Sequence, residues 1–410
     1  MRQRLLPSPV LALAAAAGAV LLAGCTSTAS TATSGSADAA GTPAAITVDS
    51  TDDACTVSTA EAPSGVLHFA VTNSGSDVTE FYVLGADGLQ VVGEVENIGP
   101  GISRDLVVQA APGTYTLACK PGMTGDGIRS TFTVNDSGAD LTPTGPTGEL
   151  IATAVANYKA YVDDQVGQLL AGTKEFAAAY IAGDDAKAKA LYAPVRMHWE
   201  RIEPVAESFG DLDPILDARE ADLEEGQDWT GWHRIEKDLW PPASGYTALT
   251  PAERKTVADK LVADTQTLAD RTADLTFRVD QLGNGAKELL DEVATGKITG
   301  EEETWSHTDL WDFQANLEGA KVMYAGLAPV VQRVDPELAT TLDTRFAAVQ
   351  ALLDKLRDGD GFVYYDALSA DQIKELAAAV DALSEPLSTL TATALQAAGG
   401  GSAVASPASS

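Results

Sequence analysis

The sequence predicts a chain of two folded parts, an all-β sandwich followed by an all-α helical bundle domain. Three observations carry this reading. Between residues 46 and 135, short apolar or aromatic runs alternate with Gly, Asn and Asp turns, the spacing of a small sandwich. From Glu149 the texture changes to Ala, Leu, Glu, Asp and Lys with helical periodicity. Between the two, residues 136–148 hold Asp136-Ser137-Gly138 and Thr142-Pro143-Thr144-Gly145-Pro146-Thr147-Gly148, which reads as a linker.

The elements follow in order. Arg2 and Arg4 precede an apolar run from Leu11 to Leu22, which ends at Leu22-Ala23-Gly24-Cys25. A charged start, a short apolar core and a small-residue cleavage site predict a secretory leader over 1–24 rather than a membrane span. Cleavage before Cys25 would leave that cysteine to carry a lipid, so the chain is expected outside the cytoplasmic membrane, anchored to it. Ser, Thr, Ala and Gly dominate 25–45 and cannot bury a core, so this segment is a tether. Strands are expected at Val66–Val71, Glu80–Leu84, Val91–Ile98, Ala110–Leu117 and Ser130–Val134, giving a domain over 46–135. Helices are expected at Leu150–Ala182, Lys187–Phe209 with a kink at Pro204, Ala252–Leu282, Trp305–Ala328, Pro336–Arg357 and Ala370–Ala398. These make a helical domain over 149–398 without strands. Residues 399–410 are low-complexity and read as a disordered tail.

Lys and Arg total 27 against 59 Asp and Glu, a net charge of −32. Nucleic-acid binding is disfavoured, because phosphate contacts need a basic face. Cations suit such a surface. The chain has only four histidines. One of them, His233, stands three residues before Glu236 in a helical stretch, where i and i+3 side chains share a face roughly 5–6 Å apart. Glu200 and Glu203 repeat the spacing upstream, and Asp309 with Asp312 repeat it downstream. Asp211, Asp213 and Asp217 follow Gly210, and Glu301-Glu302-Glu303 precede His307. Carboxylates with one imidazole suit Fe(III), Mn(II) or similar hard ions. An acidic pair alone is usually a solvated face, His233 with Glu236 could equally be a buried hydrogen bond, and Arg201, Arg219 and Arg234 could neutralise the acids. A zinc peptidase would need His-Glu-x-x-His, with the glutamate as general base. His233-x-x-Glu236 supplies no such base, so hydrolysis is disfavoured and no catalytic residue is assigned.

Long segments carry a resemblance. His198–Asp213, Thr230–Lys237, Tyr246 onward, Lys297–Glu302 and Ser306–Asn316 resemble the imelysin-like domain of the EfeO family of extracytoplasmic iron-uptake lipoproteins. The resemblance spans roughly 46–396. It implies a cupredoxin-like sandwich followed by an imelysin-like domain of paired helical bundles. It implies delivery of iron to a membrane iron permease, alongside a haem peroxidase. Carried over by position, the metal ligands would be His233, Glu236, Glu200, Glu203 and Asp217, with Glu302 the acidic residue near the last of the family's positions.

In the sandwich, Cys55 and Cys119 are the cysteines left once Cys25 carries lipid. Outside the cytoplasm their default is a disulfide, and soft-metal ligation is the alternative. A blue-copper centre would need two histidines, but His68 is the domain's single one and reads as structural, although Cys119 and Met123 are suggestively spaced. The resemblance aligns Glu80, Glu94 and Glu96 with the family's acidic positions, implying a second iron or copper site among Cys55, Glu80, Glu94, Glu96 and Cys119. Glu94 and Glu96 alternate along a strand and so share a face, which could instead be plainly solvated. The expectation is an iron-binding protein rather than an enzyme. The alternatives are an imelysin-like polysaccharide-binding protein or a metallopeptidase.

Overall fold

Strict alternation builds the first strand. Ile46, Val48 and Ser50 are buried while Thr47 and Asp49 face out, the period of two that a half-buried strand imposes. The computed structural model describes residues 45–138, 142–223 and 226–398. The expected leader, Cys25, the tether up to residue 44 and the tail from 399 lie outside the described residues. The sandwich consists of β1 (Ile46–Ser50), β2 (Cys55–Val57), β3 (Glu61–Pro63), β4 (Gly65–Asn73), β5 (Thr79–Leu84), β6 (Val91–Ile98), β7 (Ser103–Ala110), β8 (Gly113–Cys119) and β9 (Ile128–Asn135). One sheet has the order β2-β1-β4-β7 and the other β3-β9-β8-β5-β6. Between them Phe69, Phe81, Phe132, Val95 and Leu117 fill the core. Phe69 stands 5.4 Å from Phe81 and 5.8 Å from Phe132 by ring centroid. A disulfide between Cys55 and Cys119 ties β2 of one sheet to β8 of the other.

The helical part comprises α1 (Gly145–Ala182), α2 (Asp185–Glu200), α3 (Glu203–Glu207), α4 (Asp213–Leu216), α5 (Trp232–Leu239), α6 (Pro251–Ala273), α7 (Val279–Thr295), α8 (Asp309–Val334), α9 (Pro336–Lys355), α10 (Ala370–Leu387) and α11 (Leu390–Ala397). Three expected helices are divided. Pro204 does more than kink the second one. It has no N–H for the Glu200 carbonyl and its ring crowds that carbonyl, so α2 stops at Glu200 and α3 starts at Glu203. The freed carbonyl accepts instead from the Asn316 side-chain amide at 2.8 Å. The helix expected over 252–282 breaks at 274–278, where Arg278 takes an extended N-cap backbone and its N–H donates to the Gln281 side chain. The last helix divides between α10 and α11, after Pro386 in the final turn of α10. A two-stranded hairpin, β10 (Arg357–Asp358) with β11 (Gly361–Phe362), appears in the expected strand-free domain.

Breaking at 274–278 lets α7 turn beneath the sandwich. Asp280 of α7 accepts from the Gln109 amide at 2.9 Å, and Asn284 donates to the Val107 carbonyl at 3.0 Å. The Val91 amide donates to the Ser208 carbonyl at 2.9 Å. The helices bury two apolar clusters. One gathers the second half of α1 with α2, α5 and α6. The other gathers the first half of α1 with α7 to α11. No helix among the described residues is long and apolar enough to cross a membrane.

Candidate metal centre

At the seam between the two helical clusters the structure collects charged side chains that water does not reach. Arg196 of α2 is fully buried. Its guanidinium binds Asp217, reaches Glu200 at 2.5 Å and Glu302 at 3.2 Å, and meets Glu303 at 2.6 Å. Lys297, from a 3-10 turn over Lys297–Thr299, lies 2.7 Å from both Glu200 and Glu203 and 3.1 Å from Glu292. Buried charges are tolerated only when paired and hydrogen-bonded, and these two cations provide the pairing.

His233 enters this network from α5. Its Nδ1 sits 3.0 Å from Glu236, while Nε2 faces Glu302 at 3.2 Å and Asp217 at 3.4 Å. The other Glu236 oxygen accepts from the Trp305 and Ser306 amides at 2.9 and 2.7 Å. Gly231 places α5 here. Its φ is +85°, and a Cβ on it would stand 2.2 Å from the Leu216 carbonyl oxygen, so glycine alone fits both the backbone region and the close approach. That approach brings His233 beside Asp217, one residue past Leu216. A pocket of about 410 Å³, lined among others by Arg219, His233, Glu236, Glu302 and Trp305, opens onto the imidazole.

Burial and Arg196 press the His233 pKa down, but Glu236, Glu302 and Asp217 outweigh them and hold it well above the ordinary value. Burial likewise raises Glu302, yet Lys297, His233 and Arg196 hold it well below the usual carboxylate range. Burial, with Glu236 second, pushes Glu303 well up, and burial with Glu200 does the same to Asp312. Both Asp312 oxygens lack a hydrogen-bond partner. Asp309 is raised to about 7 by burial.

The six residues expected from sequence in the helical domain thus meet in one place: His233, Glu236, Glu200, Glu203, Asp217 and Glu302. Ligand atoms of Asp217, His233 and Glu302 lie within 4.8 Å of one another, as do those of Glu200, Glu203 and Asp217. Of the expected neutralising arginines, Arg219 alone reaches these acids. Arg201 pairs with Glu318 at 2.7 Å, Arg234 binds the Tyr246 hydroxyl, and Arg219 holds Asp222 and Glu301, standing 3.7 Å from Glu302 at the rim. Asp211 pairs with Arg271. Arg196, Lys297 and Asn316 are not singled out by sequence, and Glu303 is named only within the Glu301–Glu303 run. For Arg196 a signal existed, its i, i+4 spacing to Glu200.

The sandwich residues divide. Cys119 pairs in register with Phe81 and Glu94 with Tyr82. Side chains alternate across a sheet, so Cys119 points into the core while Glu80, Tyr82 and Glu94 occupy the opposite face. The disulfide also removes the thiolates, so Cys55 and Cys119 do not join the glutamates in a ligand set. A blue-copper set is not assembled either, since His68 bonds Asp105 at 2.9 Å on the other sheet and Met123 is exposed.

Glu94 and Glu96 do share a face, but it is covered by the helical domain rather than open to water. The Tyr82 hydroxyl donates to Glu80 at 2.8 Å and Glu96 at 3.0 Å. Oxygens of Glu94, of Glu207 in α3 and of Glu288 in α7 lie within 4.8 Å of one another. Burial, then repulsion from neighbouring carboxylates, pushes Glu94, Glu96 and Glu207 well up, and burial raises Glu288 to about 8 against the pull of Lys287.

The imelysin family profile matches residues 154–390, and the cupredoxin-like domain profile matches 14–134. The chain is 39% identical over 348 residues to the iron uptake system component EfeO of Escherichia coli (strain UTI89), covering 84% of this chain and 90% of that one. It is 38% identical, at the same coverage, to the EfeO proteins of Shigella flexneri and Shigella sonnei. With a β-sandwich joined to a helical domain and this similarity along nearly the whole length, the chain belongs to the EfeO family of iron-uptake-system components, as a cupredoxin-like domain followed by an imelysin domain.

Proposed function

We propose that the chain captures iron outside the cytoplasmic membrane and hands it to a membrane permease, working beside a haem peroxidase and held to the membrane by a lipid on Cys25. The observation that carries this reading is the placement of His233. Its Nε2 faces Asp217 and Glu302 at the floor of an open pocket, while Glu236 fixes the ring through Nδ1. A carboxylate that holds the second nitrogen of a metal-binding imidazole sets its orientation and basicity. Hard oxygens with one imidazole favour iron over softer ions. Glu200 and Glu203 extend the ligand set inward.

Arg196 gives the site a reason to let go. It already satisfies Asp217, Glu200 and Glu302, so a bound cation competes with a resident one. Iron is therefore held reversibly, as handing over requires. The imidazole must also lose its proton to become a ligand. Because His233 is held well above its ordinary value, iron affinity rises with pH.

The test is calorimetric titration of the leaderless chain with Fe(III) against a competing chelator. His233→Ala with Glu302→Gln is expected to lose the tight equivalent while circular dichroism stays unchanged. Unchanged affinity in a folded variant rejects the assignment.

A further inference from the structure

At the boundary between the two halves lies a cluster that the His233 centre does not use. Glu94 comes from β6 of the sandwich, Glu207 from the end of α3 and Glu288 from α7, and their oxygens lie within 4.8 Å of one another. Glu94 is only 8% exposed, yet among the described residues no donor or cation reaches its carboxylate. The neighbouring amines are taken. Lys120 stands 3.9 Å from Glu80 and stacks over Tyr82, and Lys287 pairs with Asp291. A buried carboxylate without a partner is a costly arrangement, and it aims here at two more carboxylates.

The surroundings leave room for an ion. A cavity of about 240 Å³ adjoins the cluster, lined by Glu94 and Glu288 together with Pro204, Ser208, Phe277 and Asn284. A point centred among oxygens so spaced lies roughly 2.8 Å from each, a few tenths of an ångström beyond the ~2.3–2.6 Å of a calcium-like carboxylate contact. Small side-chain shifts close that gap.

The cluster also has an address. Glu203, Glu207 and Glu292 form a second set of oxygens within 4.8 Å, Glu200, Glu203 and Asp217 a third, and Asp217, His233 and Glu302 a fourth. Glu207, Glu203 and Asp217 are each shared by neighbouring sets. The ligands therefore run unbroken from the sandwich to the imidazole.

We propose that Glu94, Glu207 and Glu288 form a second site for a hard multivalent cation, built jointly by the two domains at the outer end of this run. Filling it neutralises the repulsion across the boundary and fastens the sandwich to α3 and α7. That the run leads to an iron site rests on the reading of His233 above; the interdomain site itself does not.

The experiment titrates the metal-free leaderless chain with Mn(II) alone, reading free ion by its electron paramagnetic resonance signal. Glu207→Gln with Glu288→Gln is expected to bind one equivalent fewer than the parent, and to lose the rise in melting temperature that this equivalent confers. His233→Ala is expected to lose a different equivalent. The interdomain site is overturned if the double variant titrates like the parent, whatever His233→Ala does. If the double variant alone loses an equivalent, the interdomain site stands and the His233 reading falls. Should the double variant not fold, Glu94→Gln on the sandwich side replaces it, with the same two outcomes.

Discussion

Two carboxylate clusters lie along one run of side chains, and they are neutralised in opposite ways. Around Arg196 and Lys297 the buried glutamates Glu200, at the end of α2, and Glu203, at the start of α3, each have a cation in contact: Glu200 has both, and Glu203 has Lys297. Around Glu94, Glu207 and Glu288 no cation is in contact among the described residues. The inner cluster is organised before any metal arrives, since its charges are already bonded. The outer cluster repels itself. Preformed geometry suits selective holding of an ion, while uncompensated charge suits attracting one.

Removing the inner compensation is the harshest way to break this contrast. Arg196→Met would strand Glu200, Asp217, Glu302 and Glu303 without their shared partner. Loss of one member of a buried ion pair costs on the order of 3–5 kcal/mol. Denaturant unfolding of the metal-free variant should show that loss, and added iron should restore part of it by taking the arginine's place.

A smaller effect separates geometry from charge. Gly231→Ala changes no charge, yet it forces a Cβ against the Leu216 carbonyl in a backbone region that side chains avoid. Strain of this kind costs about 1–3 kcal/mol. The shift moves His233 from Asp217, so tight iron binding should weaken while Mn(II) uptake at Glu94, Glu207 and Glu288 persists. Loss of both together would mean the two clusters are not separable.

Acidity gives a third comparison. Asp309 is held at about 7, and Glu288 and Asp213 at about 8, each by burial first. Unfolding returns them to ordinary carboxylate values near 4. Between roughly pH 4 and 8 the folded chain then binds more protons than the unfolded one, so stability falls as pH rises. Asp309→Asn should flatten that slope between roughly pH 4 and 7 in urea unfolding curves taken without metal, leaving the part nearer pH 8 to Glu288 and Asp213. A slope of opposite sign would show that these carboxyls ionise freely in the fold.

Much of this arrangement was legible in the residues. The alternation in Val91–Ile98 placed Glu94 and Glu96 on one face, and the His233-x-x-Glu236 spacing placed both side chains together. Long-range matters were not. Nothing local in α7 marks Glu288 as facing β6, because Glu94 lies nearly two hundred residues upstream. The break at 274–278 that aims α7 at the sandwich depends on Asp280 reaching the Gln109 amide, a contact without a periodicity to announce it. Arg196 sat in plain view four residues before Glu200, but only the fold shows that Asp217, Glu302 and Glu303 converge on it. The shared-face rule was right about Glu94 and silent about what would cover it.

The mildest substitution completes the comparison. Lys120 lies beside Glu80 on the face of Glu94, 3.9 Å from Glu80 and about a quarter exposed, where Arg196 is fully buried. Partly solvated pairs at such a distance contribute roughly 0–1 kcal/mol. Lys120→Met should therefore leave the unfolding midpoint nearly unchanged, although it removes a positive charge just as Arg196→Met does. It should also tighten Mn(II) binding at the outer cluster slightly, because one competing cation is gone from Glu80 and its neighbours. A large loss of stability would mean that Lys120 neutralises the boundary as Arg196 neutralises the core. The outer glutamates would then need no ion to hold the domains together.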